Sequence, residues 1–167
     1  MPVGAIYLTE TSSGAPALSG TNGTLCTVLD WALPKKGWAI EYTATNNRIY
    51  RPGAGNRNRM FVSHDSAVSG SPQLATVRGC ENASAANASS LVNQFPTTTQ
   101  VANNASTVLI SNAANTLARP YRIILTDRFL ILAVSTQIST NAAWDLFLFG
   151  DLYGAEVYDS WATICHI

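Results

Sequence analysis

Hydrophobic positions along the chain follow two periods, and the helical one occurs over a single short stretch. After residue 22 apolar side chains recur three and four residues apart, at Leu25, Val28, Leu29 and Leu33. This spacing predicts an amphipathic helix, with Asn22 as its N-cap and with Pro34 and Gly37 ending it. Such a short helix depends on packing against other elements for its stability.

From Gly37 onwards the period changes to that of strands. Trp38, Ile40 and Tyr42 alternate with Ala39, Glu41 and Thr43, which predicts a strand with one buried face. Further strands are predicted at residues 3–9, 48–51, 59–63, 73–81, 121–125, 129–136, 144–149 and 156–167. The predicted fold is therefore mainly β, an antiparallel sheet or sandwich of about eight short strands with one short N-terminal helix packed on it.

The same patterns divide the chain into two parts. Residues 1–20 contain a short strand followed by Ser, Gly and Pro, and they are predicted to form an N-terminal arm or strand. Residues 21–167 are predicted to form a single β-rich domain, because this length supplies one good core. Within that domain the Ala, Ser, Asn and Thr tract at residues 82–115 is predicted to be mostly irregular.

Charge changes this picture more than any other property of the composition. Charged residues make up only 12% of the 167 residues, and 10 basic groups balance 10 acidic ones. Soluble domains average about a quarter. The polar surface is expected to consist instead largely of the 13 Asn, 15 Ser and 17 Thr residues. A neutral chain lacks the repulsion that keeps monomers apart, so we expect it to assemble, and it lacks the basic stripe of a nucleic-acid partner.

The cellular compartment of the protein is predicted from the length of its hydrophobic runs, from its first ten residues and from its cysteines. No apolar run approaches the roughly 20 residues of a membrane-spanning helix, and the first ten residues do not have the pattern of a signal peptide. Cys26, Cys80 and Cys165 are odd in number and widely spaced, which favours reduced thiols in a protein made in the cytosol.

Candidate chemistry is sparse. His64 and Asp65 are adjacent, and neighbours on a strand point to opposite faces, so they are a poor base and orienting pair. Cys165 and His166 stand together without the spacing of a zinc site, and Asp151 after Gly150 is expected to be a turn residue. No catalytic residue, metal ligand or cofactor is predicted, and the chain is not expected to be an enzyme.

Arginine is the residue type with an unusual distribution. Four of the eight arginines, Arg48, Arg51, Arg57 and Arg59, lie within twelve residues, around the glycine-containing loop that follows Pro52. Guanidinium groups bind carboxylates and phosphates through paired donors, so these four are the predicted partner-binding residues. The alternative is that the loop simply carries solvated charges.

Tryptophan offers a second candidate surface. Indole faces stack on sugars, and Trp31, Trp38, Trp144 and Trp161 could form a carbohydrate-binding platform. Three of the four lie in apolar periodic segments, where packing in the core is the commoner role.

Several sequence blocks together resemble a group of small virion proteins of tailed bacteriophages. The blocks, in the order shared with that group, are GAPALSG, GTLCTVLDWAL, GW, YTATNNRIYRPG, ATVRGCE, FPT, ARPYRIILTDRFLILAV and FGDL. The resemblance spans nearly the whole chain, from Gly14 to Asp151. Many members of that group have an inserted module between the helix and the GW block, where this chain has only Pro34, Lys35 and Lys36.

The resemblance implies a non-enzymatic structural protein of a tailed-phage virion that docks on repeated sites of the particle. Its expected location is the virion, assembled in the host cytoplasm, and its expected partners are capsid or tail proteins, with the chain itself as a homo-oligomer. A capsid decoration or cement protein is the favoured role, and a tail or baseplate component is the alternative. A carbohydrate-binding adsorption module is the alternative from another class. Neither nucleic acid nor membrane is an expected partner.

Overall fold

A computed structural model of the chain describes residues 4–64, 73–97, 99, 107–137, 143–153 and 160–166, with only the backbone described for 152, 153 and 160–166. The elements run in the order β1 Ile6–Thr9, α1 Thr24–Ala32, a 3-10 helix Leu33–Lys36, β2 Ala39–Thr43, β3 Asn47–Arg51, β4 Arg59–Ser63, β5 Gln73–Cys80, β6 Asn82–Ala83, a 3-10 helix Ala88–Ser90, β7 Leu91–Val92, β8 Thr107–Ser111, β9 Tyr121–Leu125, β10 Phe129–Ser135, β11 Trp144–Tyr153 and β12 Ser160–His166.

Ten of these strands form two antiparallel sheets. The first sheet has the order β1-β9-β10-β11-β12, and the second has the order β2-β3-β4-β5-β8. The remaining strands, β6 and β7, pair with each other. The prediction of a mainly β, antiparallel fold with one short helix is confirmed, with a larger number of strands than expected.

One hydrophobic core joins both sheets and the helix. The inward residues of β9, such as Ile123, and of β4, such as Val62, belong to the same buried cluster as Leu29 of α1. The indole N–H of Trp38 donates a hydrogen bond of 2.8 Å to the carbonyl oxygen of Thr126, and so ties the start of β2 to the β9–β10 turn. Burial of apolar area in this shared core is the main stabilising contribution.

The helix buries the predicted face but begins differently from the prediction. Leu25, Val28, Leu29 and Leu33 are all buried, as the spacing indicated. The N-cap is Gly23 in the left-handed conformation, with φ of 80°, and no side chain caps the helix, so the assignment of Asn22 as N-cap is wrong. Instead the backbone N–H of Leu25 donates to Nδ1 of the buried His64 at 3.1 Å, which satisfies one of the free donors at the helix start.

Strand β2 does not bury the two side chains predicted to follow Trp38 into the core. Trp38 is buried, but Ile40 and Tyr42 are exposed. The pairing of β2 with β3 shifts register between these two residues, which marks a β-bulge, and β2 is an edge strand of the second sheet. Ile40 pairs with Tyr50 and Tyr42 pairs with Ile49, so the bulge turns Tyr42 to the face opposite that of Ile40, which is exposed on the edge strand before the bulge. The alternating pattern therefore predicted the strand correctly and its buried positions wrongly.

Three further segments match their predicted elements in part. The tract at residues 82–115 contains β6, β7 and β8, and the first two help to cover a second small cluster around Ile49 and Phe61. In the N-terminal segment Ile6–Thr9 pairs with β9, and Leu18 is fully buried. The predicted strand at residues 156–167 is present as Ser160–His166, and the rest of that segment lies outside the described residues.

Candidate functional site

Three of the four arginines identified in the sequence meet at one surface depression. It has a volume of about 450 Å³ and is lined by Glu41, Arg51, Asn56, Arg57, Arg59 and Glu81. We call it the arginine depression. Neighbouring strands bring Arg51 and Arg59 together, and residues 52–58, here called the arginine loop, contribute Arg57.

Glu41 organises two of these arginines. Its Oε1 accepts from the Nε of Arg51, and its Oε2 accepts from the Nε of Arg59 at 2.6 Å. Ile40 and Tyr42, both exposed, flank Glu41 on the bulged strand. Glu41 therefore fixes the direction of each guanidinium through its Nε donor, and the other donors of Arg51 stay available in the depression.

The rim at Glu81 is also ordered by hydrogen bonds. Arg59 donates from Nη1 to the backbone carbonyl oxygen of Glu81 at 2.6 Å. The Glu81 carboxylate accepts from Nδ2 of Asn93 at 2.7 Å. Three arginines and two glutamates leave the depression with a formal charge of one positive unit, concentrated on the arginine loop side.

The arginine loop is fastened to the first sheet. The backbone N–H of Asn56 donates to Oδ2 of Asp151 at 2.8 Å, and that of Ala54 donates to the carbonyl oxygen of Asp127 at 3.0 Å. Asp151 is only 2% exposed, and it lies within β11, so its prediction as a turn residue is wrong. Burial raises the pKa of this carboxyl group, and the Asn56 N–H and the Arg128 charge lower it in part.

Arg48 lies apart from this depression and packs the helix onto the second sheet. Its Nε contacts Oδ2 of Asp30 in α1 at 3.0 Å, and its Nη1 donates to the carbonyl oxygens of Ala44 and Asn47. The hydroxyl of Tyr50 donates to the same Asp30 carboxylate at 2.9 Å. The side chain of Arg48 is thus occupied by contacts within its own domain.

A second candidate surface is the outer face of the first sheet. Strand register places the following described side chains on it: Tyr7, Thr9, Arg122, Ile124, Phe129, Ile131, Ala133, Ser135, Trp144, Leu146 and Leu148. All but Thr9, Arg122 and Ser135 are apolar or aromatic. This face crosses four strands, and no described element covers two of its large side chains: Tyr7 is 55% exposed and Ile124 is 38% exposed. Contiguous apolar surface of this kind marks interaction sites.

Arg122 is the one charged side chain among the described residues of that face. Its Nη1 donates to the Tyr7 hydroxyl at 2.5 Å, and its guanidinium lies 5.3 Å from the centre of the Trp144 ring. The intervening residue on β10 is Ala133, a small side chain that leaves room for Arg122 to cross that strand. Arg122 has no salt bridge with a carboxylate in the described part of the chain.

The tryptophans do not form one platform. Trp38 is buried, Trp31 is half-buried with the Lys35 ammonium 4.8 Å from its ring centre, and Trp144 is exposed on the first sheet. The side chain of Trp161 lies outside the described residues.

The described histidine and the two described cysteine side chains are buried in the folded protein. His64 is buried and accepts from the helix start. Cys26 and Cys80 are buried free thiols, and burial raises the pKa of each to about 11. Within the described residues no group of three His, Cys, Asp or Glu side chains could hold a metal ion.

Sequence reasoning missed the carboxylates that define the site. Glu41 was assigned to the polar face of a regular strand, and nothing in a single sequence marks a bulge at that position. Asp151 is 95 residues from the backbone group it binds, so only the fold brings the two together. Arg122 had a detectable signal, since a lone charge within the apolar run of β9 is unusual.

The chain matches no protein-family model, no curated protein and no solved structure. Among the described residues no helix is both long and apolar enough to cross a membrane.

Proposed function

We propose that the protein is a non-enzymatic structural component of a tailed-phage virion, most directly a capsid decoration protein that docks on repeated sites of the shell. The observation that carries the proposal is the outer face of the first sheet, which leaves Tyr7, Ile124 and Trp144 exposed. The order of the sequence blocks and the zero net charge support the same role. Permanent contact is the usual reason for an apolar face of this extent.

The proposed occupant of this face is a capsid protein with an apolar contact surface and one carboxylate. The partner is expected to carry a carboxylate that pairs with Arg122, because burying the Arg122 guanidinium against a purely apolar partner would be costly. Tyr7 and Trp144 hold the guanidinium in place before docking, so little side-chain entropy is lost on binding.

The copy number on purified particles tests the role. Quantitative mass spectrometry is applied to particles carrying the gene, and then to heads and tails after their separation. Hundreds of copies on the heads support decoration. A handful of copies on isolated tails contradicts decoration and supports the tail or baseplate alternative, and absence from the particle contradicts both.

A matched pair of substitutions tests the docking face. Ile124 and Ile40 are exposed to similar extents, 38% and 40%, on different sheets. Ile124→Lys is expected to lower particle occupancy at least tenfold, and Ile40→Lys is expected to leave it unchanged. Circular dichroism confirms that both variants remain folded. Equal occupancy of the two variants would show that the first sheet is not the docking face.

Carbohydrate binding is the second candidate, and it is favoured by one arrangement. Trp144 and Tyr7 flank Arg122 on an exposed face, which combines aromatic surfaces with hydrogen-bond donors. This candidate predicts signals on a glycan array that disappear in Trp144→Ala, with Trp31→Ala as the control. An array without signal for the intact protein rejects it.

A further inference from the structure

The arginine depression lies on the second sheet and the arginine loop, apart from the outer face of the first sheet. Glu41 uses only the Nε donors of Arg51 and Arg59, and Glu81 uses one Nη donor of Arg59. The two terminal nitrogens of Arg51 have no hydrogen bond in the part of the chain that the structure describes. These nitrogens are donors that an incoming anion can use.

Arg57 adds a guanidinium that its own chain does not engage. It is exposed, and within the described residues it has neither an ion pair nor a side-chain hydrogen bond. Its backbone has φ of 63°, a left-handed conformation that is unfavourable for a residue with a side chain. The attachment of Asn56 to Asp151 immediately before it holds the loop in this form.

The charge of the depression selects the anion. With three arginines against Glu41 and Glu81, there is one positive unit to neutralise. A single carboxylate neutralises that charge, whereas a phosphate dianion would leave the depression with a net negative charge. The planar donor pairs of guanidinium also match the two oxygens of a carboxylate.

We propose that the arginine depression binds one carboxylate group, held between Arg51 and Arg57 while Glu41 keeps Arg51 in place. The site does not depend on the role in a virion. The carboxylate is either that of an acidic side chain of a protein partner or that of a small free acid, and the two sources share the same recognition chemistry.

Side-chain NMR of the arginine Nε–Hε groups tests the proposal directly. Sodium acetate replaces sodium chloride at constant ionic strength, and parallel titrations use the capped peptides Ala-Glu-Ala and Ala-Gln-Ala. We expect saturable shifts at Arg51 and Arg57 with acetate and with the Glu peptide only, and no shift at Arg48, whose donors are occupied. Binding of the Glu peptide tenfold tighter than acetate identifies a protein side chain as the source, and similar affinities identify a free acid.

Variants give the control. Arg57→Gln is expected to weaken acetate binding about threefold or more, the range for an exposed charge pair. Lys35→Gln removes the same charge from an exposed position away from the depression and is expected to have no effect. The proposal is overturned by the absence of saturable shifts, by equal effects of the two variants, or by hydrogen phosphate at pH 8 binding more tightly than acetate.

Discussion

Asp151 accepts a hydrogen bond from the backbone N–H of Asn56, and this contact attaches the arginine loop to the first sheet. The other carboxylate oxygen, Oδ1, is buried and has no hydrogen bond within the described residues. The ionised carboxylate is therefore incompletely satisfied, which agrees with the raised pKa of this group.

Folding stability is expected to depend on the protonation of Asp151. Because its pKa is higher in the folded than in the unfolded state, the folded protein takes up this proton first as the pH falls. The contribution of Asp151 to the free energy of unfolding thus increases from neutral pH down to its ordinary pKa. Asp151→Asn keeps an acceptor for Asn56 and removes the titration. Urea unfolding of both proteins between pH 4 and 7 measures the free energy of unfolding. The excess of the variant over the parent should be largest at pH 7, and an excess that does not change with pH would contradict this assignment.

Gly55 is required by the same contact. Its φ is 79°, and a Cβ added there would overlap Oδ2 of Asp151. Gly55→Ala is expected to lower the free energy of unfolding by about 2 kcal/mol, from strain in the backbone and from the overlap. In an Asp151→Ala background the overlap is removed and only the backbone strain remains, so Gly55→Ala should lower the free energy of unfolding by about 1 kcal/mol. Equal costs in the two backgrounds, measured by urea unfolding, would mean that the two residues do not interact.

Asp30 joins the helix to the second sheet through two donors. Its carboxylate contacts Nε of Arg48 at 3.0 Å and accepts from the Tyr50 hydroxyl at 2.9 Å. Asp30→Ala removes the carboxylate partner of Arg48 and leaves the Tyr50 hydroxyl with the carbonyl oxygen of Cys26, 3.2 Å away, as its acceptor. The substitution is expected to destabilise the protein by about 2 kcal/mol, chiefly through the unpaired Arg48 charge. The loss should be smaller in an Arg48→Met background, because the unpaired charge is then absent. Chemical denaturation of the four proteins in this cycle measures the coupling, and a coupling of zero would refute the pairing.

The buried thiols are expected to be inert in the folded protein. A pKa of about 11 for Cys26 and for Cys80 reduces the thiolate fraction at pH 8 roughly 100-fold relative to the ordinary thiol, and burial further limits access. In a Cys165→Ser variant, Ellman's reagent should detect no thiol in the native protein and two after denaturation. Rapid reaction of either thiol under native conditions would contradict their placement.

The sequence patterns predicted where helices and strands lie better than they predicted which side chains of a strand are buried. The β9–β10 hairpin was evident because its apolar strands flank a polar turn, where the Thr126 hydroxyl accepts from the backbone N–H groups of Arg128 and Phe129. The orientation of Tyr42 was not evident, since a bulge turns the strand without a marker in the composition. Clustering of arginines within twelve residues indicated the loop of the arginine depression, but the separation of Arg48 from the others depends on Asp30 in the helix.

The position of β1 has a consequence for synthesis of the chain. All strands of the second sheet lie between Ala39 and Ser111, so this sheet can pair as its residues leave the ribosome. Strand β1 is translated before them, but its partner β9 begins only at Tyr121. Strand β1 therefore has no partner until the chain has been translated through Leu125, after the whole second sheet has been made.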